Sequence, residues 1–225
     1  METTTGHVRI NLQSIEKELA RYGTKLLPVT KTFGIELIQE AYSQGYRAFG
    51  ENKVQELVPK YEALPKDIDW HLIGHLQSNK VKYIAPFIGM IESVDSEKLL
   101  AEIDRQAGKN NRKIKCLLQV YIATEESKFG WSPEELIEWI ARNNLPQYQN
   151  VKIEGLMGMA SFSENENLVR SEFQTLKKLY NELKNHQTDN LEMKTLSMGM
   201  SGDYQIACEE GSTSVRMGTR IFGRR

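Results

Sequence analysis

The sequence predicts an α/β protein folded as a single (β/α)8 barrel of the TIM type, with one extra helix ahead of the first strand. Three observations carry that prediction. Eight short apolar runs rich in β-formers are spread along 225 residues, amphipathic helical patterns separate them, and the first run continues as VTKTFG rather than G-x-G-x-x-G. Buried strands that alternate with helices imply parallel neighbours, because a parallel pair needs a crossover and the crossover helix covers the sheet. The missing glycine fingerprint counts against the open doubly wound sheet, which is the rival architecture. Barrels commonly run to roughly 250 residues as one unit, and no linker, repeat or low-complexity stretch divides residues 1–225.

Val8, Leu12, Ile15, Leu19 and Tyr22 recur at helical steps and stop at Gly23, which suits a left-handed cap. The strand candidates are Leu26–Lys31, Arg47–Glu51, Trp70–Gly74, Met90–Val94, Cys116–Ala123, Ile153–Ala160, Thr195–Met200 and Ser214–Phe222. Between them lie helical stripes such as Leu99, Leu100, Ile103 and Ala107, and Val169, Phe173, Leu176, Tyr180 and Leu183. Ser132-Pro133-Glu134-Glu135 reads as a capping box with a first-turn proline ahead of Leu136, Ile137 and Ile140. Lys80–Ala85 and Asp203–Cys208 are shorter helical pieces. The eighth strand is expected to end the fold without a following helix, and the leading helix to cover the gap.

Composition excludes several classes. With 29 Lys+Arg against 30 Asp+Glu, the formal net charge of −1 supplies no positive field for nucleic acid or an anionic membrane. Cys116 and Cys208 give neither a disulfide framework nor metal-ligand spacing and read as buried thiols. No signal peptide or membrane span is legible, so the cytoplasm is expected. His71 and His75 lack the helix and the glutamate of a zinc motif and are assigned polar rim roles. Lys109–Lys115 is read as a solvated loop, and Met157, Met159, Met198 and Met200 as packing for the barrel or a ligand.

A barrel places its chemistry at the carboxyl ends of the strands, with phosphate commonly held after strands seven and eight. Ser201-Gly202-Asp203 and Gly218-Thr219 offer hydroxyls and open backbone at those two exits. They are equally readable as two glycine turns at the rim. Lys31 follows Leu26, Leu27 and Val29 and is expected to end the first strand at the mouth, where desolvation would favour a neutral, imine-forming amine. A snorkelling surface lysine is the alternative. Arg216 stands two before Gly218 and either faces a ligand or pairs with Glu51 or Asp95 inside the barrel.

LLPVTKT, FGENKVQE, WHLIGHLQSNK, ESKFG, GLMGMA, SMGMSGD and VRMGTRIFG occur in that order along the chain. With these motifs the sequence resembles the pyridoxal phosphate homeostasis protein family from the N-terminal helix to the last residues, with His71 at a place where that family varies. The resemblance implies a barrel like the N-terminal domain of alanine racemase, with pyridoxal 5'-phosphate held as an aldimine on Lys31. It further implies phosphate contacts from Ser201, Gly218 and Thr219, positions near the ring for Asn52 and Arg216, and Gly202 among the cofactor-binding residues.

A guanidinium opposite the ring nitrogen would keep that nitrogen unprotonated and the ring a weak electron sink. The racemases that share this barrel also draw a second base from an additional domain, which is not legible here. The expected function is therefore a non-catalytic, monomeric protein that holds and buffers the coenzyme, releases it to apo-enzymes or amino acids, and so maintains vitamin B6 and amino-acid homeostasis. An amino-acid racemase or lyase using Lys31 with Tyr121, His75 or a base near Asn52 is one alternative. A cofactor-free sugar-phosphate aldolase or isomerase is another.

Overall fold

A computed structural model describes residues 7–123, 129–142, 145–186 and 188–223. In chain order the elements are α1 (His7–Leu19), β1 (Lys25–Pro28), α2 (Ile35–Ser43), β2 (Ala48–Glu51), α3 (Val54–Ala63), β3 (Asp69–Leu72), α4 (Val81–Ile84) and β4 (Met90–Val94). Then come α5 (Glu97–Lys109), β5 (Ile114–Tyr121), α6 (Pro133–Ala141), β6 (Val151–Met159), α7 (Glu166–Leu183), β7 (Leu191–Ser197), α8 (Tyr204–Glu209), β8 (Ser214–Met217) and α9 (Thr219–Phe222). All registered strand pairs are parallel, in the order β1-β8-β7-β6-β5-β4-β3-β2. The two ends of that order meet at a parallel bridge between Val29 and Gly50, where Thr30 N–H donates to Gly50 O at 2.9 Å. The sheet thereby becomes a barrel, as the alternation of strands and helices predicts.

The main core lies between strands and helices. Val8, Leu12, Ile15 and Leu19 of α1 are buried, and so are Phe49, Trp70 and Ile91 from the strands and Leu100, Phe173 and Leu176 from the helices. Inside the barrel Met90, Leu117 and Met157 form a separate small apolar cluster. Ser132 caps α6 as its sequence requires: its hydroxyl accepts from Glu135 N–H at 3.1 Å, and Glu135 Oε2 accepts from Ser132 N–H at 3.0 Å. Among the described residues no helix is long and apolar enough to cross a membrane. Both cysteines are free and buried.

The eighth strand departs from the prediction. It ends at Met217, Gly218 turns the chain, and Thr219–Phe222 forms a helical turn, so a helix does follow the last strand. Ile221 and Phe222 are both buried by that turn, and Asn11 Nδ2 of α1 donates to Ile221 O at 2.8 Å. Four residues show too little of either period to separate a strand from a helix. The leading helix does pack at this end of the chain, with α9 between Asn11 of α1 and Phe33 in the loop beyond β1.

Candidate functional site

Because the strands are parallel, their carboxyl ends share one face of the barrel, and the residues selected from sequence lie there. Lys31 follows β1, Asn52 follows β2, Ser201 and Gly202 follow β7, and Gly218 and Thr219 follow β8. Those four strands are consecutive in the ring, β7-β8-β1-β2. The residues therefore occupy a single arc of the mouth.

Lys31 does not end a strand inside an apolar enclosure; it is exposed, in a turn beyond Thr30. Just beyond it Thr32 adopts φ 65°, a left-handed conformation rarely taken by a β-branched residue. Helix α3 braces this turn on both sides of Lys31. Thr32 N–H donates to Glu56 Oε2 at 2.7 Å, while Lys60 Nζ donates to Thr30 O at 2.8 Å and Glu51 Oε1 at 2.6 Å. Thr30 Oγ1 donates to the same Glu51 oxygen at 2.5 Å. Burial raises the Glu51 pKa, with Lys60 and Thr30 pulling against it.

Asn52 rests directly on Gly74: a Cβ at that glycine would lie 2.2 Å from Asn52 O and 2.5 Å from its Oδ1. Gly218 serves a similar purpose between β8 and β1, where a Cβ would come within 2.9 Å of Val29 O. The first amides of α9, on Thr219 and Arg220, have no intrahelical acceptor, whereas Ile221 and Phe222 N–H both return to Gly218 O at 2.9 Å. At the neighbouring exit Asp203 Oδ1 accepts from Met200 N–H at 2.6 Å and shapes the turn that carries Ser201 and Gly202. A Cβ on Gly202 would meet nothing within 4 Å, so its backbone faces open space.

Arg216 is 4% exposed and points into the barrel. Its Nη1 donates to Ser197 Oγ at 2.6 Å and its Nη2 to Gly158 O at 3.0 Å. Ser197 Oγ donates in turn to Glu92 Oε2 at 2.6 Å, and Glu92 Oε1 lies 2.8 Å from His71 Nδ1. His71 Nε2 is 3.7 Å from Asp69 Oδ2. Burial works against a charge on His71, but Asp69 and Glu92 outweigh it and raise its pKa to about 9. Burial likewise pushes Glu92 upward, yet His71, Arg216 and Ser197 hold it below the usual carboxylate range. Glu51 and Asp95, considered as partners for Arg216 from sequence, are engaged elsewhere: Glu51 with Lys60, and Asp95 Oδ2 with His75 Nδ1 at 3.0 Å. His71 is thus a member of an interior network rather than a rim residue, while His75 is on the rim beside Phe129, with ring centroids 4.7 Å apart.

The family model of the alanine racemase N-terminal domain matches residues 4–225. A pyridoxal phosphate homeostasis protein of Aquifex aeolicus is 43% identical over 221 residues, covering 95% of each chain. The chain belongs to the pyridoxal phosphate homeostasis protein family. The human protein of that name is 37% identical over 93% of this chain and 79% of its own. Among solved structures, PipY of Synechococcus elongatus with PLP bound superposes with a TM-score of 0.84 at 36% identity, covering 96% of this chain and all of that one. Alanine racemase of Clostridium difficile shares the fold at 14% identity and a TM-score of 0.76, with 97% of this chain matching 57% of the racemase.

The side chains and glycines that support this arc are less legible in the sequence than the arc's own members. Glu92, Ser197, Gly158, Gly74 and Lys60 were not singled out. One signal was present: Glu92 and Ser93 are polar residues in the middle of the run MIESV, every residue of which is buried. Met157 and Met198 are buried as packing residues, whereas Met159 and Met200 are 42% and 37% exposed and fill no interior position. Of the ESKFG segment, Glu126, Ser127 and Lys128 lie outside the described residues.

Proposed function

We propose that this protein binds pyridoxal 5'-phosphate at the β7-β8-β1-β2 arc through an imine between the coenzyme's aldehyde and the Lys31 amine. In this reading it is a carrier that keeps a reactive aldehyde bound and releases it to apo-enzymes, without turning over amino acids. The observation that carries the reading is the arc itself, which sets an amine, an amide and two hydroxyl-bearing turns on one face of the barrel, with the Arg216 guanidinium fixed in the interior. The relatives named as homeostasis proteins and the PLP-bound PipY structure support it.

The donor set suits the group. Ser201, Thr219 and the first amides of α9 offer neutral donors to a phosphate, and Gly202 leaves its backbone open to one. Arg216 has five N–H donors and uses two on Ser197 and Gly158. It has no proton to give up at ordinary pH, so a ring nitrogen facing it stays unprotonated. When bound, the coenzyme supplies an exchangeable aldehyde and an electron-withdrawing ring. Without a protonated nitrogen that ring withdraws weakly, which favours exchange of amines over bond-breaking at their α-carbons.

Loading with pyridoxal phosphate followed by borohydride reduction is expected to add a pyridoxyl group to the peptide containing Lys31, and none to Lys31→Ala. A colourless protein with no adduct would sink the reading. Turnover of D- or L-amino acids above that of the free coenzyme, lost in Lys31→Ala, would replace the carrier with a racemase or lyase. Sedimentation of the loaded protein checks that the carrier is a monomer.

A further inference from the structure

We propose that Glu92 is a positioning residue for Arg216, reaching across the barrel interior and acting through the Ser197 hydroxyl to fix the plane of the guanidinium. The inference rests on the reading of Arg216 as the partner of the coenzyme ring, and goes beyond it by naming what aims that partner.

In a ring of eight strands β4 and β8 stand opposite one another, four places apart in either direction. Glu92 and Arg216 project from those two strands into an interior that barrels normally fill with branched apolar side chains. A carboxylate that is 1% exposed is costly there unless it is fully engaged. Both oxygens are engaged, one by His71 and the other by Ser197. The link to Arg216 is indirect, and that is informative. An ionised carboxylate only accepts, so the Ser197 proton must point to Glu92, and the Ser197 oxygen is left to accept from Arg216 Nη1. Glu92 thereby dictates which way the hydroxyl faces. Gly158 O takes Nη2 from the side of β6, so the guanidinium is held at two corners. Charge assistance at both ends of the chain makes these bonds stronger than neutral ones. His71, between Asp69 and Glu92, supplies the counter-charge that lets the carboxylate stay ionised with no direct contact to Arg216.

Glu92→Gln keeps the shape but offers an amide that also donates, so the Ser197 proton loses its fixed direction. Ser197→Ala removes the relay, and Ser197→Thr restores a hydroxyl. Two measurements read the effect in the full chain. Without coenzyme, the Arg216 Nη resonances in side-chain 15N NMR, assigned by their loss in Arg216→Lys, are expected to be separate in the wild type and in Ser197→Thr. They are expected to coalesce in Glu92→Gln and Ser197→Ala. With coenzyme, the wild type is expected to prefer pyridoxal phosphate over its analogue with carbon in place of the ring nitrogen. That preference is expected to fall about tenfold in the two disrupting variants, the worth of one charge-assisted hydrogen bond. Met157→Leu, an apolar change in the same interior, is expected to alter neither. Arg216 resonances that stay separate in both disrupting variants would overturn the proposal. Coalescence as expected, together with no borohydride adduct on wild-type Lys31, would uphold the positioning and remove the coenzyme reading instead.

Discussion

Thr32 is held at φ 65° immediately after the lysine on which the proposed chemistry depends. A β-branched residue in that region costs about 1–3 kcal/mol, and such strain persists only where surrounding bonds over-determine it. Here the Glu56 carboxylate takes its N–H, and its own hydroxyl donates to Lys31 O at 2.5 Å. Thr32→Gly removes the steric cost and adds about 0.5–1 kcal/mol of chain entropy. The melting temperature is therefore expected to hold or to rise by a few degrees, since about 1 kcal/mol moves a chain of this size by about 2–4 °C. Coenzyme loading of Lys31, followed by absorbance, is expected to slow because the turn is no longer fixed. A large fall in melting temperature would show that the turn is relaxed as it stands. Gly74→Ala has the opposite character, because the new methyl group would overlap Asn52 backbone and side chain at 2.2 and 2.5 Å. It is expected to displace Asn52 and weaken pyridoxal phosphate binding, as measured by titration.

Helix α3 shows how far an element is legible and where legibility stops. Val54, Leu57, Val58 and Tyr61 make its apolar stripe in the sequence; Val54 and Leu57 are buried, while Val58 and Tyr61 are only partly so. Lys60 is buried too, which no periodic reading suggests for a lysine. Its place is decided by Glu51 and Thr30, which come from other strands' exits and meet it only in three dimensions. Removing one partner of a buried pair leaves the other uncompensated at about 3–5 kcal/mol. Lys60→Met is expected to lose about that much in urea unfolding, and the double variant Glu51→Gln with Lys60→Met to recover part of it. Burial already raises the Glu51 pKa, so in Lys60→Met the carboxyl escapes its cost by taking a proton. The single variant's deficit should then shrink as pH falls toward 5, and a deficit that does not change with pH would show that Glu51 remains ionised without its partner. The capping box of α6 and the turn at α9 mark the two limits of local reading. Ser132 and Glu135 carry their geometry in four adjacent residues, whereas Thr219–Phe222 is a single turn whose Ile221 carbonyl is taken by Asn11 of α1, a partner distant in sequence.

At the scale of the molecule, parallel topology made the candidate arc legible, because strand order alone sends the ends of β7, β8, β1 and β2 to one face. The interior network was not legible, since it joins side chains as distant in sequence as Glu92 and Ser197, 105 positions apart. Its consequence is a pH dependence for the whole fold. His71 has a pKa of about 9 when folded against about 6.5 when unfolded, so the folded state binds its proton more tightly. The stabilisation is fully present below pH 6.5 and is lost as pH rises through 9. At about 1.4 kcal/mol per unit the amount is on the order of 3 kcal/mol. Glu92 and Asp69 are held below the usual carboxylate range chiefly by His71, so they express the same interaction from the carboxylate side, which is lost in acid as they take protons. The charges bearing on the imidazole are Asp69 on its own strand and Glu92 on β4, while Arg112 and Lys115 act on Asp69 and Arg216 on Glu92. Urea unfolding of the wild type and His71→Asn at pH 6.5, 8 and 9.5 isolates this group, because other groups that titrate near pH 9.5 are common to both proteins. The wild-type advantage is expected to be greatest at pH 6.5 and to have largely gone by pH 9.5. An advantage that stayed constant would mean that His71 is neutral in the fold, and that Glu92 has no positive partner on its side of the barrel.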